Sequence, residues 1–181
     1  MKIGLVRHFK VIYKPEYSWM TSDQFNQWVE DYNNSDVSPV GHIGHDPKWE
    51  ICIASDLFRA SKTAEIIYQG QGPIIKTERL REIGMRSINQ SEIKLHYKIW
   101  IVLSRMAWFF SHKSQEEGRT DTTLRAKQII NWIEDNYMDS NVLVVSHGGI
   151  MKSLIQELFK RGYRGKGFIK PDNGRLYIYE K

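Results

Sequence analysis

The sequence predicts an α/β fold with a mostly parallel central sheet and helices on both faces, and three observations carry that expectation. Short apolar runs alternate along the chain with segments of helical periodicity. The runs Lys2–Val6 and Asn141–Val145 are apolar enough to read as strands covered on both sides. Three strands also stop abruptly in polar residues, at Arg7-His8, Ser55-Asp56 and Ser146-His147. Such a pattern fits the carboxyl edge of a parallel sheet opening onto a ligand site.

The elements follow in order. Lys2–Val6 is the first strand. Thr21–Asn34 places Phe25, Trp28, Val29 and Tyr32 on one helical face, with Thr21, Ser22 or Asp23 as the N-cap. Asp36–Lys48, with Pro39, Gly41, Gly44 and Pro47, reads as a loop. Glu50–Ala54 is a second strand, leading through Ser55-Asp56 into a helix from Leu57 to about Tyr68. Ile74–Lys76 is a third short strand, and Leu80–Arg86 is irregular around Gly84. A long helix is expected from about Glu92 to Phe110, and another from Asp121 to Asn136. The Val-rich strand Asn141–Val145 then runs through Ser146-His147-Gly148-Gly149 into a helix, Ile150–Lys160. Phe168–Lys170 and Arg175–Tyr179 flank the turn Pro171–Gly174, which predicts a closing hairpin.

The chain has 181 residues, 41% hydrophobic and 26% charged, which is one domain's worth of ordinary globular sequence and argues against disorder. A single cysteine, Cys52, rules out an intrachain disulfide framework and suits a reducing, cytoplasmic setting. Ile99–Phe110 is interrupted by Ser104 and Arg105 and is too short to span a membrane, and Arg7, His8 and Lys10 cut off any signal-peptide core. With 26 Lys and Arg against 21 Asp and Glu, the net charge of +5 favours anionic partners. The basic residues are dispersed apart from Lys160-Arg161, Arg164 and Lys166, so a small phosphate ester is expected rather than a specific nucleic acid.

The polar ends of the three strands should meet in space. Two imidazoles and two guanidiniums, His8, His147, Arg7 and Arg59, would then form a cationic pocket suited to tetrahedral phosphoryl oxygens. Helix N-termini after Asp56 and His147 would add backbone N–H donors. His42 and His45 lie three apart in a Gly-flanked loop without a carboxylate or thiol cluster, so no metal site is assigned there, and His42 is placed at the substrate rim. Ser146 either donates its hydroxyl to the phosphate or caps the following helix.

Four motifs occur in order: Leu5-Val6-Arg7-His8; Ala54-Ser55-Asp56-Leu57-Phe58-Arg59-Ala60 with Thr63-Ala64; Leu80-Arg81-Glu82; and Val144-Val145-Ser146-His147-Gly148-Gly149. Together they resemble the histidine phosphatase superfamily, also called the phosphoglycerate mutase-like family, over residues 3 to about 155. The resemblance implies a three-layer sandwich forming one domain, 1–181, with a helical cap or insertion at about 85–120. It also implies a two-step transfer in which His8 attacks phosphorus and carries the phosphoryl group. Arg7, Arg59 and His147 would hold its oxygens, and Glu82 would be the proton donor. Neither metal nor cofactor is required by that chemistry. The implied activity is hydrolysis of a small phosphorylated metabolite, the alternatives being mutase-type phosphotransfer or phospho-ligand binding with weak turnover. Oligomeric state is left open.

The chain also departs from the family. Phe9-Lys10 follows the Arg-His pair where a Gly and a polar residue are usual, which places Phe9 at the substrate rim. Ile83–Asn89 keeps little of the family's aromatic, Gly and Trp-Glu-Gly elements. Asp36–Trp49 lacks its Leu-Thr, Gly and Gln-Ala pattern.

Overall fold

The computed structural model describes residues 1–39 and 48–181. His42 and His45 therefore lie outside the described residues. The chain runs β1 (Lys2–Arg7), β2 (Lys10–Val11), β3 (Trp19–Met20), α1 (Ser22–Asn34), β4 (Val37–Ser38), β5 (Ile51–Ser55) and α2 (Phe58–Ile67). It continues through β6 (Ile74–Thr77), a single 3-10 turn (Glu78–Leu80), β7 (Leu95–His96), α3 (Tyr97–Phe109), α4 (Arg119–Tyr137), β8 (Val142–Ser146), α5 (Gly148–Lys160), β9 (Arg164–Gly165) and β10 (Leu176–Glu180).

The central sheet has the order β6-β5-β8-β1-β10-β9. β6, β5, β8 and β1 are parallel, and β10 and then β9 close one edge in antiparallel fashion. Register decides where the chemistry falls. Arg7 lies opposite Ser146, and Ala54 lies opposite Val145, so three strands end at the same level. The His8 N–H donates to the Ser146 carbonyl at 2.9 Å and carries that alignment one residue past the strand.

Period-2 alternation splits the apolar residues between two faces. Ile3, Leu5, Ile53, Val142 and Val144 pack against α4 and α5, including Ile129, Ile130, Ile133 and Leu154. Val6, Cys52, Ala54, Leu143 and Val145 face α2 through Ala60 and Ala64. Each buried Ile, Leu or Val contributes roughly 1.5–3 kcal/mol. The result is the expected three-layer arrangement, a mixed but mostly parallel sheet between helices. Among the described residues no helix is long and apolar enough to cross a membrane.

A smaller apolar cluster lies outside the sheet. α3, at the centre of the 85–120 segment, packs on α1 through Met20, Phe25, Trp28, Val29 and Trp100, and the Trp100 indole donates to the Met20 carbonyl at 2.8 Å. α1 thus shares a core with α3 rather than covering the sheet. Thr21 is its N-cap, in a capping box with Gln24.

Three local expectations are corrected. The helix expected from Glu92 begins at Tyr97, because Leu95 and His96 pair with Met20 and Trp19 and His96 caps the helix through Nδ1. The Asp36–Lys48 segment contains a strand, Val37–Ser38, recruited by Lys10–Val11. The closing hairpin uses Arg164–Gly165 as its first strand rather than Phe168–Lys170, whereas the Pro171–Gly174 segment reaches back to Arg7.

Candidate active site

His8 follows β1, with one ring nitrogen facing a backbone carbonyl and the other a guanidinium. Its Nδ1 stands 2.6 Å from the carbonyl oxygen of Phe9, and its Nε2 stands 3.3 Å from Nε of Arg59. A carbonyl can only accept and a guanidinium can only donate, so Nδ1 carries the proton and Nε2 presents its lone pair. Burial pushes the imidazole pKa down to about 3, helped by the Arg59 and Arg7 charges and opposed by the Phe9 hydrogen bond. A neutral imidazole in that tautomer is a nucleophile at ordinary pH.

The Phe9 and Arg59 backbones are held in common by Thr63. The fully buried Thr63 hydroxyl accepts from the Phe9 N–H at 2.9 Å and donates to the Arg59 carbonyl at 2.7 Å. The other side of the Arg7-His8 motif is tied down by the 171–174 segment. Asn173 Nδ2 donates to the His8 carbonyl at 2.7 Å, the Gly174 N–H to the Arg7 carbonyl at 2.8 Å, and Arg7 Nη1 to the Pro171 carbonyl at 3.1 Å.

His147 follows β8 and is completely buried, its ring centroid 5.0 Å from that of His8. Burial, with the charges of Arg59, His8, Arg7 and Arg125, holds its pKa well below the usual histidine value. Both of its ring nitrogens, and Nε of Arg7, are buried without a hydrogen-bond partner. Buried polar atoms are rarely left so, and the N–H of Arg7 Nε and the one N–H that a neutral His147 ring carries are donors that an oxyanion would satisfy. Gly148 permits the approach, since a Cβ there would sit 3.3 Å from Arg7 Nε.

Arg59 is only 2% exposed, and burial lowers its pKa while the nearby Glu82 carboxylate opposes the shift. Its Nη1 donates to Asn33 Oδ1 at 2.8 Å, and its guanidinium lies 5.4 Å from the Tyr32 ring centroid. Glu82 caps α5. Its Oε1 accepts from the N–H groups of Gly149 (3.0 Å), Ile150 (3.3 Å) and Ile83 (2.9 Å), and Oε2 shares only that of Gly149 (3.2 Å). The Gly149 and Ile150 amides are among the first of α5, which lack intrahelical acceptors, and the Glu82 side chain supplies one.

The structure thus brings Arg7, His8, Arg59 and His147 together, with Glu82 at the adjoining helix start. Two assignments change. The Ser146 hydroxyl donates to the Leu80 carbonyl at 2.8 Å and is fully buried, so its one proton is committed to joining β8 to the 3-10 turn rather than to an anion. Phe9 does not form a rim: its ring is 3% exposed and packs with Val11 and Val37 away from solvent, leaving only its backbone to serve His8. Sequence reasoning missed Asn33, Tyr32, Asn173 and the bridging role of Thr63. Of these only Thr63 had a signal, its place one helical turn after Arg59.

The fold and the buried pair of imidazoles at its carboxyl edge define a phosphoglycerate mutase-like α/β protein. The chain belongs to the histidine phosphatase superfamily (branch 1), whose model matches residues 40–180. Residues 1–39, which carry Arg7, His8 and α1, precede that stretch. No curated protein matches the chain significantly by sequence. Among solved structures it is similar to YhfR of Bacillus stearothermophilus (24% identity, TM-score 0.60, 88% of this chain and 80% of that one). It is also similar to mycobacterial glucosyl-3-phosphoglycerate phosphatase (20%, 0.57, 88% and 79%). Phosphoserine phosphatase of Entamoeba histolytica, solved as a mutant with phosphoserine, shares 15% identity at a TM-score of 0.57, over 88% and 80% of the two chains. At such identities the likeness establishes the fold.

Proposed function

We propose that the protein hydrolyses a small phosphomonoester through a phosphohistidine intermediate on His8. The observation that carries this reading is the His8 imidazole, held by Phe9 so that its Nε2 lone pair faces Arg59, with the unpartnered nitrogens of His147 and Arg7 beside it. In the first step Nε2 attacks phosphorus and the bond to the ester oxygen breaks. Glu82 supplies the proton to that departing oxygen, since an alkoxide leaves poorly. Oε2, with a single N–H neighbour, is the oxygen suited to carry the proton. In the second step water attacks the phosphoryl group, gives its proton to Glu82, and releases inorganic phosphate and the free imidazole. Arg7, Arg59 and His147 stabilise the charge on the transferring oxygens in both steps, the preorganised kind of stabilisation that costs little reorganisation.

A small phosphorylated metabolite is the substrate class. It is supported by the closeness of the ligating groups and by two similar structures, a phosphoserine phosphatase and a glucosyl-3-phosphoglycerate phosphatase. The test is to incubate wild type and His8→Ala with labelled p-nitrophenyl phosphate and quench in alkali, which preserves phosphohistidine. Wild type should retain acid-labile label and His8→Ala none. Wild-type turnover by His8→Ala would overturn the covalent route, and phosphate binding without turnover across a metabolite panel would make the protein a phospho-ligand binder.

A further inference from the structure

We propose that Asn33 is a positioning residue for Arg59: it anchors Nη1 so that Nε of the same guanidinium can leave His8 and take up a phosphoryl oxygen. The inference rests on the functional reading above and deepens it. It concerns a residue outside the stretch matched by the family model.

In the structure Nε of Arg59 donates to the very atom that must attack phosphorus, His8 Nε2. That contact has to break before transfer, because one lone pair cannot both accept a hydrogen bond and bond to phosphorus. A guanidinium held at one point only would stay on His8 or drift away from it. The second point is Asn33 Oδ1, 2.8 Å from Nη1, which need not be released when Nε changes partner. Rotation about the anchored end exchanges His8 for the anion with one hydrogen bond kept throughout.

The anchor is itself rigidly placed. Asn33 lies in the last turn of α1, where the Ser35 hydroxyl donates to the Asp31 carbonyl at 2.6 Å and closes the helix end. Its neighbour Tyr32 stacks over the guanidinium and against Trp28, which continues through Phe25 to Trp100 of α3 at ring separations of 5.7–5.9 Å. The α1–α3 cluster is thereby wedged against Arg59, and the position of that cluster sets the position of the clamp.

The experiment is a double-mutant cycle. Calorimetric titration with inorganic phosphate, together with kcat and KM for p-nitrophenyl phosphate, is measured on the full chain as wild type, Asn33→Ala, Arg59→Ala and the double variant. Asn33→Ala should weaken phosphate binding about tenfold, the weight of one hydrogen bond to a charged group, and lower kcat. In the Arg59→Ala background it should change neither, since the anchor acts only through the guanidinium. Asn33→Asp restores the acceptor and should recover kcat while raising KM, because its charge opposes the dianion. Equal phosphate affinity and kcat in Asn33→Ala and wild type, or an undiminished Asn33→Ala effect without Arg59, would overturn the proposal. A wild type that binds phosphate but forms no phosphohistidine would end only the hydrolytic reading, leaving the phosphate titration to test the anchor. A wild type that binds no phosphate would remove both.

Discussion

Arg59 Nε and His8 Nε2 are 3.3 Å apart, so the buried cation donates into the lone pair of the proposed nucleophile. The contact keeps His8 neutral and aimed, and in the proposed reaction a phosphate would replace it by offering the guanidinium a charged acceptor. Several consequences can be measured.

The first concerns acid stability. His8 in the folded chain has a pKa of about 3 and that of His147 is also lowered, against 6.5 in the unfolded chain. Below about pH 6.5 the unfolded chain therefore binds protons that the folded chain excludes, and stability falls with pH, for His8 by up to about 1.4 kcal/mol per pH unit down toward pH 3. Urea unfolding between about pH 4 and 8 should show a shallower acid slope for His8→Asn than for wild type. Identical slopes would mean that His8 is not held neutral.

Thr63→Val keeps the shape of the side chain but strips the hydroxyl joining Phe9 and Arg59. A buried N–H is left without its acceptor, at a cost of roughly 1–3 kcal/mol, and the His8 tautomer loses its backbone support. Denaturant unfolding should register the loss, with kcat falling further than KM changes. A fully active Thr63→Val enzyme would show that the bridge does not orient the site.

Gly149 allows the Glu82 carboxylate to reach the start of α5: a Cβ there would land on Oε1 and lie 2.9 Å from the Ile83 side chain. Gly149→Ala should displace Glu82, the proposed proton donor. Hydrolysis of alkyl phosphates, which need that proton, should fall by at least about tenfold more than hydrolysis of p-nitrophenyl phosphate, whose leaving group does not. Glu82→Gln should show the same bias, and equal losses on both substrates would assign the proton elsewhere.

Arg161 joins α5 to α4 far from the site, with bonds to Glu134, Glu157 and Asn131 at a side-chain exposure of 16%. Arg161→Ala leaves the shielded Glu157 without its cation and Glu134 with only the more distant Lys181, and should cost about 2–4 kcal/mol in unfolding free energy. kcat should be unchanged below the melting transition. A drop in kcat without loss of stability would contradict a purely structural role.

The layered sheet and the meeting of the motif residues were legible because both follow from local rules. Alternation along Lys2–Val6 and Val142–Val145 defines two buried faces, and parallel strands must expose their carboxyl ends at one edge. Boundaries were less legible where a distant segment intervened. Leu95-His96 is helical by local pattern and becomes strand because Trp19–Met20 offers it partners. Phe9 read as a rim residue because it follows the Arg-His pair where a Gly is usual, yet Val11 and Val37 supply an apolar pocket that draws the ring inward.

By itself the sequence determined which groups could do chemistry and that Arg7, His8, Arg59 and His147 would lie near one edge, since each follows closely on an apolar run that reads as a strand of a parallel sheet. Only the tertiary structure decided how they are aimed. The hydrogen bonds that Thr63 and Asn33 accept and that Asn173 donates each cross more than twenty residues of chain. No local spacing encodes such contacts, because they exist only once packing has brought separate elements within a few ångströms.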